Sequence, residues 1–475
     1  MDHSDYPKSL TALPLGKANV FPEDAPHAVS SSLPTWESVV ALAEKEEVYL
    51  ETVEYSYPSL MKHAMGFWMD TGAGITTRHA QYCLQKFDCL SSESSVEKFR
   101  TTAEVEVSNY PVTEKWLEET PKTLRILQSR ITQLATSERN HLKPVKPEDV
   151  LLFPTGMNAI FIASEALADV YPPRAVVAYG WIYPETINVL RRSPWKKLIS
   201  FKWGSEAELD ELEEILEARQ EQISTIFCEL PSNIKLASPN LERIRYMADK
   251  YNFIVVCDET AGNFVNIDLL PYVDIILTSL TKMFSGTSNV TGGSMILNPN
   301  SCHYESIRYN FKAQYKNVCC FPMDMAVLER NSVNMVERVQ KANANALIVI
   351  DLFDGHPSVA QVNHPSRGPT FECYERHRRK NGGYGNVFSV VFRNPESAKV
   401  FYDNLDVFKG SSFGTDFTLA IPFVQLAVYW MQEKCEKYGV PRHIIRISVG
   451  LEDPDDICCK MKEALREVEI FETSP

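Results

Sequence analysis

An α/β fold built on a buried, mostly parallel sheet is what this sequence predicts, and three observations carry that expectation. First, short apolar runs (VLLF, AVVAY, STIFCEL, FIVVCDET, DIILTS) alternate with helical segments from Asp149 onward. Second, five of these runs end in polar or glycine-containing turns, and in such sheets functional groups gather beyond the carboxyl ends of the strands. Third, 475 residues are too many for one hydrophobic core, so two or three domains are expected.

Residues 1 to about 35 are rich in Pro, Ser and Ala and read as an extended arm. Thr35 to Val48 reads as a helix capped by its threonine. TGAGITTRHA carries Arg78, and a helix-like run follows it. Residues 90 to 112 are weakly patterned. Leu117 to Ala135 has helical periodicity, with apolar Leu124, Ile126, Leu127, Ile131 and Leu134. The alternating region follows, closing with GSMILN. From Pro322 to Leu352 the pattern is helical. GGYGNVFSVVF, from Gly382, reads as the strand that opens a second α/β unit, and the basic run ERHRRKNGG before it as a solvated loop. HIIRISVGLED is a strand that sets Arg446 beside a glycine-containing turn. The domains expected are residues 1–140, an arm and helical extension; 141–335, a cofactor-binding domain; and 336–475, a C-terminal domain.

Hydrophobic content of 44% with 23% charged residues is that of a soluble globular protein. A net charge of −14 argues against nucleic-acid and anionic-membrane partners, which select basic surfaces. No apolar run reaches membrane-spanning length, and MDHSDYPKSL shows no secretory signal. Eleven cysteines without CxxC spacing fit free thiols in a reducing cytoplasm and no metal site.

The chemistry centres on TSLTKMFSGTSNVTGG, Thr278 to Gly293. A single lysine, Lys282, lies just past a strand end among the hydroxyls of Ser279 and Thr281, with glycines following. Such a lysine suits an imine-forming amine, and hydroxyls and backbone N–H groups nearby suit a phosphorylated carbonyl cofactor. An ordinary polar loop after a strand would look the same in isolation.

Taken with the other strand ends, this stretch resembles the cystathionine γ-synthase-like family of pyridoxal-phosphate enzymes, the Cys/Met metabolism group. The resemblance runs from about Leu151 to the C-terminus. PHAVSSSLPTWESVV and TGAGITTRHA resemble the fungal branch of that family. It implies a fold type I, aminotransferase-like architecture: a large, mostly parallel sheet of seven strands with helices on both faces, and a smaller C-terminal α/β domain. It implies pyridoxal 5'-phosphate as cofactor and Lys282 as its Schiff-base lysine and the proton carrier. Asp258, beside Thr260 in VVCDET, matches the aspartate that pairs with the pyridine nitrogen. Gly156 and Met157 match the phosphate-binding turn at a helix N-terminus, and Ser279 and Thr281 the phosphate-binding hydroxyls. Tyr183 matches the ring-stacking tyrosine, and Asn233 the asparagine near the phenolic oxygen. Arg446 matches the arginine that grips the substrate α-carboxylate, and Ser412 a serine of the same neighbourhood.

The chain also departs from the pattern. Arg78 stands where an arginine reaches the phosphate of a neighbouring subunit, but a threonine replaces the tyrosine two residues before it. Thr287, Asn289, Ile234 and Glu259 replace a histidine, an aspartate, a proline and an asparagine. These changes imply an intact cofactor site and altered substrate-facing loops. The activity implied is γ-substitution on an O-activated homoserine such as O-acetyl-L-homoserine, with a thiol or a carbon acid as the nucleophile. Elimination by a cystathionine or methionine lyase is the alternative, and a homodimer or homotetramer the implied assembly.

Overall fold

The computed structural model describes residues 35–44, 71–72, 79, 114–170, 174–315 and 320–474. The N-terminal arm, most of TGAGITTRHA including Arg78, and the stretch 90–112 lie outside the described residues.

Seven strands form the larger sheet: β1 (Val150–Phe153), β2 (Ala175–Tyr179), β3 (Lys197–Phe201), β4 (Ile223–Glu229), β5 (Ile254–Asp258), β6 (Ile275–Ser279) and β7 (Gly293–Leu297). Their order is β1-β7-β6-β5-β4-β2-β3. β7 runs antiparallel to both its neighbours, and the other pairs are parallel. The central strands are buried on both faces, which is why they read as unbroken apolar runs. Their side chains alternate between two cores. Val177, Ile226, Val255, Cys257 and Ile276 face one. Val176, Phe227, Val256, Ile275 and Leu277 face the other, with the helix Gly156–Val170. Helices cover both faces, as expected.

A second sheet of five strands has the order β10-β11-β12-β9-β8, from β8 (Val359–Asn363), β9 (Val387–Phe392), β10 (Phe408–Lys409), β11 (Leu419–Pro422) and β12 (Ile445–Ser448). All its pairs are antiparallel except β10 with β11. It packs on the long C-terminal helix Pro454–Thr473 through Ile445, Ile447, Ile457, Met461 and Leu465. The unit therefore opens with β8, not with the strand after Gly382.

Local rules explain the helix starts. Thr35 accepts from Ser38 N at 3.2 Å, the expected cap of the helix Trp36–Glu44. Ser205, Asn240, Asn394 and Asp453 cap later helices through their side chains. Each such cap is worth about 1 kcal/mol. In the helix Glu114–Ala135, Leu127 and Ile131 are fully buried, whereas Ile126 faces outward.

The basic run around Arg378 is not a solvated loop. His377 is buried at the end of the helix Phe371–His377, and Arg379 donates to the carbonyls of Ile267 and Thr136. These bonds pin the segment to the larger sheet's domain. Among the described residues every cysteine is free, and no helix is long and apolar enough to cross a membrane.

One buried ion pair ties the lysine loop to the second sheet. Arg338 and Asp416 are each 4% exposed and meet at 2.7 Å. Arg338 also donates to the carbonyls of Met283, Phe284 and Asn331. Replacing Arg338 by Met takes the paired cation away from the buried Asp416, which costs about 3–5 kcal/mol. The Arg338→Met variant is expected to unfold at clearly lower denaturant than the parent; an unchanged midpoint contradicts this role.

Candidate active site

The site is assembled at the carboxyl ends of β4, β5 and β6. By the two-residue alternation, Glu229 shares a face with Phe227, Asp258 with Val256, and Ser279 with Leu277. All three apolar partners belong to the core beneath the helix Gly156–Val170. The strand pairing therefore points three polar strand ends toward one helix N-terminus. A Cβ on Gly156 would lie 2.7 Å from Ser279 Cβ, so only glycine lets the first turn of that helix approach β6 so closely. Thr260 ties the two strands: its Oγ1 accepts from Ser279 N at 2.8 Å, and its N–H donates to Asp258 Oδ1 at 2.8 Å. Thr71 and Gly72 dock at the same helix start. Their carbonyls accept from Asn158 Nδ2 and Thr155 Oγ1.

Lys282 lies three residues beyond β6. Its Nζ donates to Ser412 Oγ at 2.8 Å and sits 5.0 Å from the centre of the Phe413 ring. The guanidinium of Arg446 also lies 5.0 Å from that ring. Arg446 comes from β12. It donates to Asn233 Oδ1 at 3.1 Å and to the carbonyls of Ser411 and Ser412. That accounts for three of its five N–H donors and leaves two for a ligand. Asn233 and Tyr183 are held in turn by Glu229, whose carboxylate accepts from Tyr183 N and Asn233 N. Tyr183 keeps 39% of its surface open and lies close enough to Arg446 to feel its charge.

Electrostatics sharpen the picture. Loss of hydration, with a smaller push from Arg446, lowers the Lys282 amine to about 7. Burial also lowers Arg446, to about 10, against the opposing effect of Tyr183. Burial raises the carboxyl of Asp258, although the hydroxyl and N–H of Thr260 favour its charge. Burial first, and Asp258 second, raise Glu229.

The structure thus brings together Lys282, Ser412, Arg446, Asn233 and Tyr183, and separately Asp258, Thr260, Ser279, Gly156 and Met157. The two groups meet at adjacent parallel strands. The Thr281 hydroxyl accepts from Gly292 N and donates to Gly292 O, closing the loop. The altered residues Glu259, Thr287 and Asn289 differ from expectation, because they do not face the cleft. Glu259 points to the opposite face and accepts from Thr278 Oγ1. Thr287 and Asn289 form a closed polar cluster with Ser285 and Asn331. Sequence reasoning missed Glu229, Phe413 and Arg338. For Glu229 there was a signal: an acid ending a buried apolar strand, just as Asp258 does.

A profile of the family described as Cys/Met metabolism PLP-dependent enzyme matches residues 120–466. The chain belongs to this family. It is 43% identical over 418 residues to a cystathionine gamma-synthase-like protein, ankD, of Aspergillus thermomutatus, covering 87% of this chain and 73% of that one. It is 40% identical over 342 residues to a cystathionine gamma-synthase of Neurospora crassa, covering 71% of this chain and 55% of that protein. The crystal structure of cystathionine gamma synthase from Xanthomonas oryzae pv. oryzae, in complex with aminoacrylate and cysteine, superposes with a TM-score of 0.63 at 22% identity. That superposition covers 73% of this chain and 86% of that one. The fold is therefore that of the type I pyridoxal-phosphate enzymes.

The residues present fit this cofactor. Asp258 is a half-buried carboxylate with no cation paired to it among the described residues, and a protonated pyridine nitrogen would supply one. The N–H groups at Gly156 and Met157, with the Ser279 hydroxyl, suit the phosphate. Because Lys282 is neutral above about pH 7, capture of pyridoxal phosphate by the cofactor-free chain should quicken as pH rises through about 7 and level off above it. Replacing Arg446 by Gln removes a like charge and should move that midpoint upward. Stopped-flow absorbance across pH 5 to 10 checks both outcomes; a rate still climbing at pH 10, toward the ordinary lysine value of 10.5, contradicts them.

Proposed function

We propose that this chain is a pyridoxal-phosphate-dependent transferase that makes γ-substitutions on O-acetyl-L-homoserine or another O-activated homoserine. The observation that carries the reading is the aromatic ring that both basic groups approach. Lys282 and Arg446 both lie 5.0 Å from the Phe413 ring. A carboxylate held by Arg446 therefore leaves the adjoining Cα within the neighbourhood of a lysine that is partly neutral at physiological pH. The fungal relatives named cystathionine gamma-synthase or cystathionine gamma-synthase-like support the same reaction class.

When bound, the cofactor supplies an electron sink for charge that develops at the substrate Cα. The chain's residues do the rest. Asp258 holds the proton on the pyridine nitrogen. Ser279 and the helix N-terminus at Gly156 anchor the phosphate, and Tyr183 lies against the ring. Arg446 and Asn233 orient the α-carboxylate. Lys282 takes the Cα proton and, steered by Ser412, moves the protons exchanged at Cβ as the γ-acyloxy group departs and the nucleophile adds at Cγ. A thiol such as cysteine yields cystathionine, and a carbon acid such as a β-keto acid yields a C–C coupled amino acid for specialised metabolism. We infer a homo-oligomer in the cytoplasm, with Arg78 reaching a neighbouring subunit's phosphate.

The holoenzyme incubated with O-acetyl-L-homoserine and a panel of thiols and β-keto acids should form condensed amino acids detectable by mass spectrometry. Keto acid and ammonia released equally well without a nucleophile would instead establish a lyase. Lys282→Ala should abolish turnover. Arg446→Lys should raise KM for the amino-acid substrate about tenfold or more with a smaller change in kcat, because a point charge replaces a planar fork; an unchanged KM refutes the assigned grip.

A further inference from the structure

We propose that Glu229 is a positioning residue: one carboxylate that fixes the two loops carrying Tyr183 and Asn233 and, through Asn233, aims Arg446. The inference rests on the reading of Arg446 as the carboxylate grip and adds a residue to it. β2 and β4 are neighbours in the sheet, so the loops that follow them emerge side by side. The loop after β2 ends at Tyr183, which caps the helix Pro184–Arg192, where its N–H has no partner within the helix. The loop after β4 carries Asn233. Glu229 spans both, with Oε1 accepting from Tyr183 N at 2.5 Å and Oε2 from Asn233 N at 3.1 Å. Asn233 Oδ1 then accepts from Arg446 Nη1 at 3.1 Å.

The position is an expensive one for an acid. Glu229 is 7% exposed, and across the parallel pair β4–β5 it stands opposite Asp258, a second acid that is itself partly buried. An apolar residue would continue the strand without burying a charge there. What the carboxyl group adds is two oxygens set apart by the width of the group, one accepting from each loop. A glutamine offers one acceptor and presents an amide NH2, itself a donor, to the other N–H. The geometry is therefore needed by the two loops, not by the strand, and such conflicts with local rules mark functional positions.

Equilibrium titration of the holoenzyme with L-alanine, followed by cofactor absorbance, tests this without turnover. Glu229→Gln is expected to weaken alanine binding about tenfold, the scale of one charge-assisted hydrogen bond. Visible circular dichroism of the bound cofactor should fall as Tyr183 loses its fixed loop, and the cofactor-free variant should bind pyridoxal phosphate more weakly. Glu229→Asp, one methylene shorter, reaches one loop only and should weaken alanine binding in the same direction; it serves if the glutamine variant does not fold. Wild-type alanine affinity in a folded variant, even one with a lowered Tm, overturns the proposal. Arg446→Lys in the same titration separates the two readings. If it weakens alanine binding and Glu229→Gln does not, only the role of Glu229 fails. If neither does, the grip by Arg446 fails with it.

Discussion

The parallel pairing of β5 with β6 is the constraint on which the rest of the site depends. It places Asp258 opposite Leu277, so the strand end bearing the carboxylate and the strand end leading to Lys282 leave the sheet together. Side chains alternate with a period of two, and a slip of one residue would turn each strand end to the opposite face. The register is held by apolar burial on both faces. Val255 and Cys257 fill one core and Ile254 and Val256 the other, all four fully buried. A slip would exchange these two sets, so core packing and the direction of Asp258 are one specification.

Given that register, the site separates charge instead of cancelling it. Glu229 and Asp258 lie at the strand ends, with Lys282 and Arg446 above. Glu229 and Asp258 accept from backbone N–H groups, Lys282 meets a hydroxyl and an aromatic ring, and Arg446 meets carbonyls, an amide oxygen and aromatic rings. No ion pair joins the two sets among the described residues. In a dehydrated cleft this is unfavourable for the protein alone, and burial pushes all four groups toward their neutral forms. A ligand with a cationic ring nitrogen for the acid and a carboxylate for the guanidinium relieves both costs. The protein spends folding energy on a preorganised field, and the ligands complete it.

Much of this was legible in the sequence. β2, β4, β5 and β6 announce themselves because strands buried on both faces are apolar throughout, and Asp258, Lys282 and Arg446 stand out as polar residues at their ends or at β12. What escaped notice has physical reasons. β3, β8 and β10 are edge strands: KLISF begins with a lysine and buries only its last residue, and β10 has two residues. β11 ends in Pro422, which argues against a strand when read locally. The departures at Glu259, Thr287 and Asn289 looked like changes in the cleft because they neighbour site residues in the chain. Alternation sends Glu259 to the other core, and the other two bond to Asn331, which no local pattern reveals.

The position of Arg446 poses a harder problem, since it belongs to a different sheet from Lys282. Apolar packing between the two units would bring them together but tolerate sliding. Directional bonds remove that freedom. Arg338 grips Asp416 and the carbonyls of Met283 and Phe284, immediately after Lys282. Asp416 N–H donates to Gly286 O at 2.8 Å, and Gly414 packs on Lys282 itself, where a Cβ would lie 3.1 Å from Lys282 Cβ. Deeper in, Asn266 and Asn343 bond reciprocally and hold the N–H groups of Gly383 and Gly385. The segment 411–416 is thus fixed to the lysine loop before any ligand is considered. Ser412 and Phe413 lie within it, and Arg446 is bonded to its carbonyls. The distance between the base and the carboxylate grip is therefore set by buried polar bonds between the units, whose loss on sliding would leave charges and amides unpaired.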